Sequence, residues 1–150
     1  MRILSKPVGK IFEFGEGEDA YTVAFSQLTE GDYIELADLE SEFEIRYAQT
    51  GQFEGVRRRR NRRRIERRAA YRAMTACDLK WYVPDDEEDP KELNGKPVFR
   101  VQGGRVSKGM SEVEFNEAWD ALPADVSDNI VREALLKVNP TLDPYGNAGE

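Results

Sequence analysis

The sequence contains no histidine and only one cysteine among its 150 residues. Histidine is the only side chain with an unperturbed pKa near neutrality, so its absence excludes Ser–His and Cys–His nucleophile pairs. General acid–base chemistry would then need a carboxylate or a lysine with a strongly shifted pKa. Cys77 lacks the cysteine or histidine companions of a disulfide or a zinc site. With no Walker loop or dinucleotide fingerprint either, the sequence predicts a non-enzymatic protein without a cofactor.

Long apolar runs are missing as well. None approaches the ~20 residues that span a bilayer, and the first residues lack the apolar core of a signal peptide. We therefore expect a cytoplasmic protein that has no membrane partner. The length and the 39% hydrophobic fraction suit one folded domain. We expect this domain over residues 1–140, and a flexible tail over residues 141–150, which contain Pro144, Gly146 and Gly149.

Two short segments near the N-terminus have the pattern of β-strands. Residues 10–14 and 21–25 are rich in β-branched and aromatic side chains, and three of those in the second segment recur at a period of two. The stretch 15–19 between them is acidic, contains two glycines and has the composition of a turn. The sequence therefore predicts a β-hairpin within residues 1–28.

Two helices are predicted within residues 29–78. Thr29 and Asp32 have the spacing of a capping box, and apolar residues then recur at helical spacing, so the first helix is expected from about 30 to 48. Residues 56–78 contain no proline or glycine and are dominated by arginine and alanine, which are good helix formers. A long basic helix is therefore expected there.

The remaining sequence predicts a second hairpin and a pair of helices. Residues 79–110 combine two short apolar segments with prolines, glycines and acidic residues, which is typical of a small hairpin with loops. Within residues 111–140, Ser111 and Glu114 have the spacing of a capping box, and Pro123 suits the first turn of a further helix. The predicted fold is α+β and mostly α, with an N-terminal β-hairpin, a long basic central helix, a small second hairpin and a C-terminal helix pair.

The net charge of −7 hides three blocks of different sign. Residues 1–56 contain twelve acidic and four basic side chains. Residues 57–72 contain one acidic and ten basic side chains, and residues 73–150 contain sixteen acidic and eight basic side chains. The chain is therefore acidic apart from one strongly cationic segment. Such a segment can attract an anionic partner or the protein's own acidic surface.

The cationic segment resembles helical arginine-rich RNA-binding motifs, in which guanidinium groups hold phosphates and an asparagine can read bases. If six arginines contacted phosphates of single-stranded or irregular RNA, log affinity against log salt would have a slope of about −4. The alternatives are a solvated helix whose charge is offset by acidic residues of the same chain, or docking on acidic faces of a homo-oligomer. The residues of the RNA hypothesis are Arg57, Arg58, Arg59, Arg60, Asn61, Arg62, Arg63, Arg64, Arg67 and Arg68.

The acidic run at residues 85–89 does not fit a metal site. If Asp85 began an EF-hand loop, Pro90 would occupy the position of the required glycine, and Lys96 that of the bidentate glutamate. We therefore predict no bound metal. The run is interpreted as a solvated acidic loop, or as an intramolecular partner of the arginines.

Apolar residues on two of the predicted helices are candidates for a protein-binding face, because aromatic anchors are over-represented among binding hot spots. One set belongs to the first helix, and the other to the first helix of the C-terminal pair. Burial in the core is the competing interpretation for each of them. The candidates are Leu36, Leu39, Phe43, Trp119 and Leu122.

The order of these parts resembles that of phage tail assembly chaperones. The resemblance is carried by a hairpin leading into Leu-Thr-Glu-Gly-Asp at 28–32 and a helix, and by Phe-Asn-Glu-Ala-Trp-Asp-Ala-Leu-Pro at 115–123 before a helix that ends at 138–140. It implies a non-catalytic protein of the host cytoplasm that binds the tape measure protein, keeps that long helical chain soluble and helps to recruit tail tube subunits. The ten arginines are not part of the resemblance, so RNA binding remains the alternative.

Overall fold

The computed structural model describes residues 9–50, 54–82, 95–101 and 109–142. Its elements confirm an α+β fold that is mostly α. The strands are β1, Lys10–Phe14, β2, Tyr21–Phe25, and β3, Met74–Cys77. They form an antiparallel sheet in the order β1-β2-β3. Within the described residues, no helix combines the length and the apolar composition that crossing a membrane requires.

The helices lie between β2 and β3 and after β3. They are α1, Glu30–Thr50, α2, Glu54–Ala73, α3, Glu112–Asp120, and α4, Ala124–Ile130. The first two, α1 and α2, connect two neighbouring strands and pack against each other. After α4 the chain continues through a π-helical stretch, Val131–Leu135, and one α-helical turn, Leu136–Val138.

The N-terminal hairpin is confirmed at the predicted residues. β1 pairs with β2 in a register that places Phe12 opposite Val23 and Phe14 opposite Tyr21. The rings of Phe14 and Tyr21 stack with their centroids 5.3 Å apart. Gly15 has a φ of 74°, a backbone conformation in which a residue with a Cβ atom is strained. This explains why a glycine occupies the start of the turn.

The predicted start of α1 is also confirmed. The backbone N–H of Asp32 donates to Thr29 Oγ1 at 3.2 Å, and the N–H of Thr29 donates to Asp32 Oδ2 at 2.9 Å. These reciprocal bonds form a capping box with aspartate in the place of glutamate, and they satisfy backbone donors that a helix N-terminus leaves unpaired. The helix ends at Thr50, two residues beyond the predicted end.

The predicted end of the basic helix is wrong. α2 ends at Ala73, and Met74–Cys77, expected to be helical, forms β3. β3 pairs with the inner strand β2, and the backbone N–H of Ser26 donates to the carbonyl of Ala73 at 2.8 Å where the chain leaves the helix. Helix propensity is a weak preference, and the hydrogen bonds and buried side chains available beside β2 outweigh it.

In the described part of the second hairpin, residues 79–82, 95–101 and 109–110, Lys80 forms an antiparallel bridge with Pro97. The backbone N–H of Trp81 donates to the carbonyl of Lys96 at 2.9 Å, and that of Val98 to the carbonyl of Leu79 at 2.9 Å. The acidic run at residues 85–89 lies outside the described residues.

The C-terminal helix pair is confirmed within residues 111–140, although Pro123, predicted in the first turn of the second helix, lies just before it. Ser111 and Glu114 form the capping box of α3, and α4 begins after Pro123. Arg100 also donates to Glu114, and this hydrogen bond is the main cause of the lowered pKa of the Glu114 carboxyl. Although Leu142 was assigned to the tail, its side chain is buried in a short 3₁₀ helix, Pro140–Leu142. The rest of the predicted tail, residues 143–150, lies outside the described part.

The core extends from the sheet to the C-terminal helices, with α2 between them. Small side chains on α2, among them Ala69, Ala70 and Ala73, are fully buried, which allows neighbouring elements to approach its backbone. At the other end of the core, aromatic side chains pack together, with ring centroids 4.9–6.1 Å apart. This aromatic cluster consists of Tyr71, Phe99, Phe115 and Trp119.

Replacing Gly9 by alanine is expected to destabilise the sheet. A Cβ atom at Gly9 would lie 1.8 Å from Thr75 Oγ1 and 3.1 Å from the Cβ atom of Ala24. Because both neighbours belong to paired strands, we expect overpacking to lower the free energy of unfolding by about 1–3 kcal/mol, measured by urea denaturation.

The matched control for this prediction is Gly31→Ala. A Cβ atom there would have Thr29 Oγ1 as its nearest neighbour, at 3.7 Å, which is an ordinary contact. Alanine favours the helical backbone, so this variant should be neutral, or stabilised by about 0.4–1 kcal/mol. Equal stability of the two variants would contradict the predicted contact between Gly9 and Thr75.

Candidate functional site

A groove between α2 and the junction of α3 with α4 is the candidate functional site. We call it the α2–α3 groove. It is open to solvent and has a volume of about 290 Å³, slightly below the ~300–1,000 Å³ of typical small-molecule sites. The size suits a few side chains of a partner better than an enclosed ligand. The groove is lined by Arg63, Arg64, Arg67, Trp119, Asp120, Leu122, Ala124 and Ser127.

The apolar floor of the groove is fixed by the aromatic cluster. The Trp119 ring stacks on Phe115, with centroids 5.8 Å apart, and packs against Phe99, with centroids 6.1 Å apart. Trp119 is only 8% exposed, whereas Leu122 is half-buried. Pro123 has an extended ψ of 140° and separates α3 from α4, so Leu122 lies at a corner of the chain. The floor is therefore rigid at Trp119 and accessible at Leu122.

One wall of the groove carries arginines that are paired with carboxylates of the C-terminal helices. Arg67 Nη1 donates to both oxygens of Asp120, at 2.7 and 2.9 Å. Arg63 Nη1 donates to Asp128 Oδ1 at 3.1 Å. Asp120 is 58% exposed and Asp128 39% exposed, so water competes strongly with both pairs, and each stabilises the fold by only ~0–1 kcal/mol.

A second group of ion pairs lies outside the groove and connects α2 to α1 and α3. Glu35 accepts hydrogen bonds from Arg68 at 2.7 Å and from Arg72 at 2.6 Å, while Arg68 also donates to Glu112. Burial disfavours the charge on Arg68, but the hydrogen bonds and charges of Glu35 and Glu112 outweigh it and raise the pKa of the guanidinium. This shared network positions α2 between its neighbours.

The structure brings together two sets of residues that the sequence made candidates for different functions. Trp119 and Leu122, candidates for a protein-binding face, share one groove with Arg63, Arg64 and Arg67, residues of the alternative RNA hypothesis. The α1 candidates are not part of the groove lining. Leu36 is 5% exposed and belongs to the core, and Leu39 is half-buried. The side chain of Phe43 lies outside the described residues.

The arginine run divides according to its surroundings. The backbone of α2 includes residues 57–61, but their side chains lie outside the described residues. Arg62 donates to the backbone carbonyl of Leu142 and lies 3.9 Å from Glu66. From Arg62 onward, the run is therefore integrated into the fold through contacts with α1, with the C-terminal helices and with the chain after them.

Neither Cys77 nor the acidic side chains of the described residues form a reactive thiol or a metal site. Burial raises the pKa of the Cys77 thiol to about 11, so the thiol remains protonated near neutrality and is a poor nucleophile. No group of His, Cys, Asp or Glu side chains in these ranges could hold a metal ion. The chemistry that the groove offers is apolar contact combined with hydrogen bonding to anions.

Sequence reasoning missed the acidic residues that pair with the arginines. They are single residues in an acidic chain, so no local motif distinguishes them. The opposite signs of the charge blocks indicate that the arginines can pair within the chain. This signal pointed to the acidic run at 85–89, not to the acidic residues that form the pairs. The paired residues are Glu35, Glu112, Asp120 and Asp128.

The fold and the groove define an α+β protein in which ion pairs from α1, α3 and α4 hold a cationic helix. Comparison of the chain with protein-family models, with curated proteins and with solved structures found no match.

Proposed function

We propose that this chain is a non-enzymatic protein that binds a helical segment of another protein in the α2–α3 groove. The observation that supports this most directly is the combination of Trp119 and Leu122 with three arginines in one open groove. An amphipathic helix can place its apolar side chains in such a groove and its polar side chains along the walls. Tryptophan and arginine are enriched among the residues that contribute most to protein binding.

The pairing of the arginines favours protein binding over RNA binding. Arg63, Arg67, Arg68 and Arg72 are already paired with carboxylates of the same chain. RNA contacts by Arg63, Arg67 or Arg68 would have to replace these pairs, including part of the network around Glu35. RNA binding by this part of α2 is therefore the less supported alternative.

We further propose that the partner is the tape measure protein of a phage tail, and that the chain acts as its assembly chaperone. This rests on the resemblance to tail assembly chaperones together with the groove. A tape measure protein is long and helical, so it presents apolar helix faces that must be covered before the tail assembles. The same proposal gives the chain a role in recruiting tail tube subunits.

The test is coexpression with the tape measure protein encoded in the same genome. We expect the wild-type chain to keep that protein in the soluble fraction and to copurify with it. Leu122→Asp places a charge on the groove floor and should abolish copurification. Val113→Asp is the matched control, because Val113 lies on α3, the helix that precedes Leu122, is 67% exposed and does not line the groove.

Three outcomes would contradict the proposal. The first is an insoluble tape measure protein despite abundant wild-type chain, and the second is equal copurification with both aspartate variants. The third is a purified chain that carries nucleic acid, removable by high salt, in place of a protein partner, which would support the RNA alternative.

A further inference from the structure

The corner between α3 and α4, residues 121–123, forms one side of the groove and has few buried side chains to hold it. Trp119 before the corner is 8% exposed, and Ile130 after it is fully buried. All residues from 120 to 129 are described, and none of their side chains is buried. Segments with few buried apolar contacts open more readily than the rest of a fold. Leu122, the accessible residue of the groove floor, therefore lies in a weakly packed segment.

Two ion pairs connect this segment to α2, one on each side of the corner. Before the corner, Arg67 Nη1 donates to both carboxylate oxygens of Asp120, at 2.7 and 2.9 Å. After the corner, Arg63 Nη1 donates to Asp128 Oδ1 at 3.1 Å. The two arginines are four positions apart in α2, so they lie on the same face of that helix. The pairs therefore attach the corner to one face of α2 from both sides.

The position of Asp120 is unfavourable for its own helix. Asp120 is the last residue of α3, where the helix dipole disfavours a negative charge. Aspartate is also a weak helix former. A residue that contradicts local preferences in this way is explained by an interaction outside its helix, and Asp120 pairs with Arg67 of α2. The carboxylate therefore serves the connection between the helices and not α3 itself.

We infer that the pairs of Arg67 with Asp120 and of Arg63 with Asp128 are positioning residues, which hold the corner in the conformation that presents Leu122 to a partner. The inference rests on the proposed protein-binding function and adds the means by which the groove is kept ready for its partner. When only a fraction of the molecules has the binding conformation, the affinity falls by that fraction. The pairs raise this fraction, and so they raise the affinity without contacting the partner.

The exposure of the pairs limits their effect to the corner. Asp120 is 58% exposed and Asp128 39% exposed, so each pair adds little to the stability of the whole fold. The same small contribution still changes the local equilibrium of a weakly packed segment by roughly two- to five-fold.

Hydrogen–deuterium exchange of the free chain tests the positioning role. Asp120→Ala should speed exchange at the hydrogen-bonded amides around the corner roughly two- to five-fold, while β2 exchanges at an unchanged rate. Alanine favours a helix, and removing the negative charge relieves the end of α3, so α3 alone would exchange more slowly. The direction of the change therefore separates the two explanations. The amides are those of Ala121, Leu122, Val126 and Ser127.

Glu133→Ala is the matched control, because Glu133 is 53% exposed, pairs with Lys137 at 3.0 Å and does not line the groove. It should leave the exchange of the four amides unchanged. Arg67→Met keeps an apolar stem and removes the guanidinium, so it should have the same effect as Asp120→Ala. The double variant should exchange no faster than either single variant, because both substitutions remove one interaction.

Binding is compared by competition for an affinity-tagged tape measure protein. Wild-type chain and one variant are coexpressed with it, and mass spectrometry gives the ratio of the two chains in the purified complex. We expect the wild type to exceed Asp120→Ala roughly two- to five-fold. The ratio of the wild type to Glu133→Ala should be about one.

Slower or unchanged exchange at the four amides of Asp120→Ala overturns the inference. Equal acceleration in β2 does so as well, since it would indicate a loss of overall stability. Additive effects of Arg67→Met and Asp120→Ala would mean that the residues act separately, and equal recovery of Asp120→Ala and the wild type would reject the role in binding. If no chain copurifies with the tape measure protein, the proposed function itself fails, whereas exchange in the free chain still decides whether the pairs position the corner.

Discussion

Replacing Phe115 by alanine is expected to lower the free energy of unfolding by about 3–5 kcal/mol. The ring is fully buried, and its centroid lies 4.9 Å from that of Phe99, 5.3 Å from that of Tyr71 and 5.8 Å from that of Trp119. Alanine would leave a cavity at the point where α2, α3 and the segment 95–101 meet. Because small domains are stable by only ~5–15 kcal/mol, this single change removes a large part of the stability.

The measurement is urea denaturation, with tryptophan fluorescence and circular dichroism as independent probes. Val113→Ala is the matched control, since Val113 lies on the same helix and is 67% exposed. A surface change of this kind should alter the stability by less than ~0.5 kcal/mol. Similar losses for the two variants would contradict the central position assigned to Phe115.

Replacing Asn139 by alanine is expected to cost about 2–4 kcal/mol, because two buried backbone groups would lose their partners. Asn139 is 3% exposed. Its Oδ1 accepts a hydrogen bond from the N–H of Leu28 at 2.8 Å, and its Nδ2 donates to the carbonyl of Ser26 at 3.1 Å. One side chain at the end of the C-terminal helix thus holds the connection between β2 and α1.

Asn129→Ala is the control for this prediction, because Asn129 is exposed on α4 and alanine favours a helix there. Its stability should equal or exceed that of the wild type.

Asn139→Asp adds a further test. One carboxylate oxygen can still accept from the N–H of Leu28, but the other would face the carbonyl of Ser26. We expect this variant to be no more stable than Asn139→Ala above pH 6. A loss below ~0.5 kcal/mol for Asn139→Ala would mean that other groups or water satisfy the two backbone atoms.

Short sequence patterns correctly predicted the elements whose structure depends on residues close together in the chain. The hairpin was predicted from apolar residues in two short segments and from glycines in the turn, and the register of β1 on β2 follows that pattern. The capping boxes at Thr29 and Ser111 fixed the starts of α1 and α3, because their hydrogen bonds join residues three positions apart.

Tertiary pairing explains why β3 was missed. Between Arg72 and Asp78 the sequence has no glycine or proline to mark the end of a helix, and alanine and methionine are good helix formers. The strand forms because Met74 pairs with Phe25 and Ala76 with Ala24, partners that lie about fifty residues away in the chain. A local sequence pattern contains no information on that pairing.

The same limit applies to the candidate site. Trp119 and Leu122 were recognised as a possible binding face, and the arginines as a possible anion-binding surface. That they line one groove depends on the packing of α3 against α2, which a local pattern does not reveal. For the arginines, the sequence left open RNA binding, charge compensation by acidic residues of the same chain and docking on a homo-oligomer, because Asp120 and Asp128 cannot be recognised as their partners without the fold.

The two sides of α2 have different roles in this proposal. The network of Arg68, Arg72 and Glu35 positions the helix against α1, and the pairs of Arg63 with Asp128 and of Arg67 with Asp120 border the groove. Changes in the network should therefore affect stability more than binding, and changes in the groove pairs should affect binding more than stability.

Hydrogen–deuterium exchange of the chain, free and in complex with the coexpressed tape measure protein, is the most direct test of binding in the α2–α3 groove. We predict slower exchange in the complex at residues 119–127 and in the facing turns of α2, residues 62–67, while β1 and β2 exchange at unchanged rates. Protection confined to the sheet or to α1, with unchanged exchange at 119–127, would contradict the groove as the binding site.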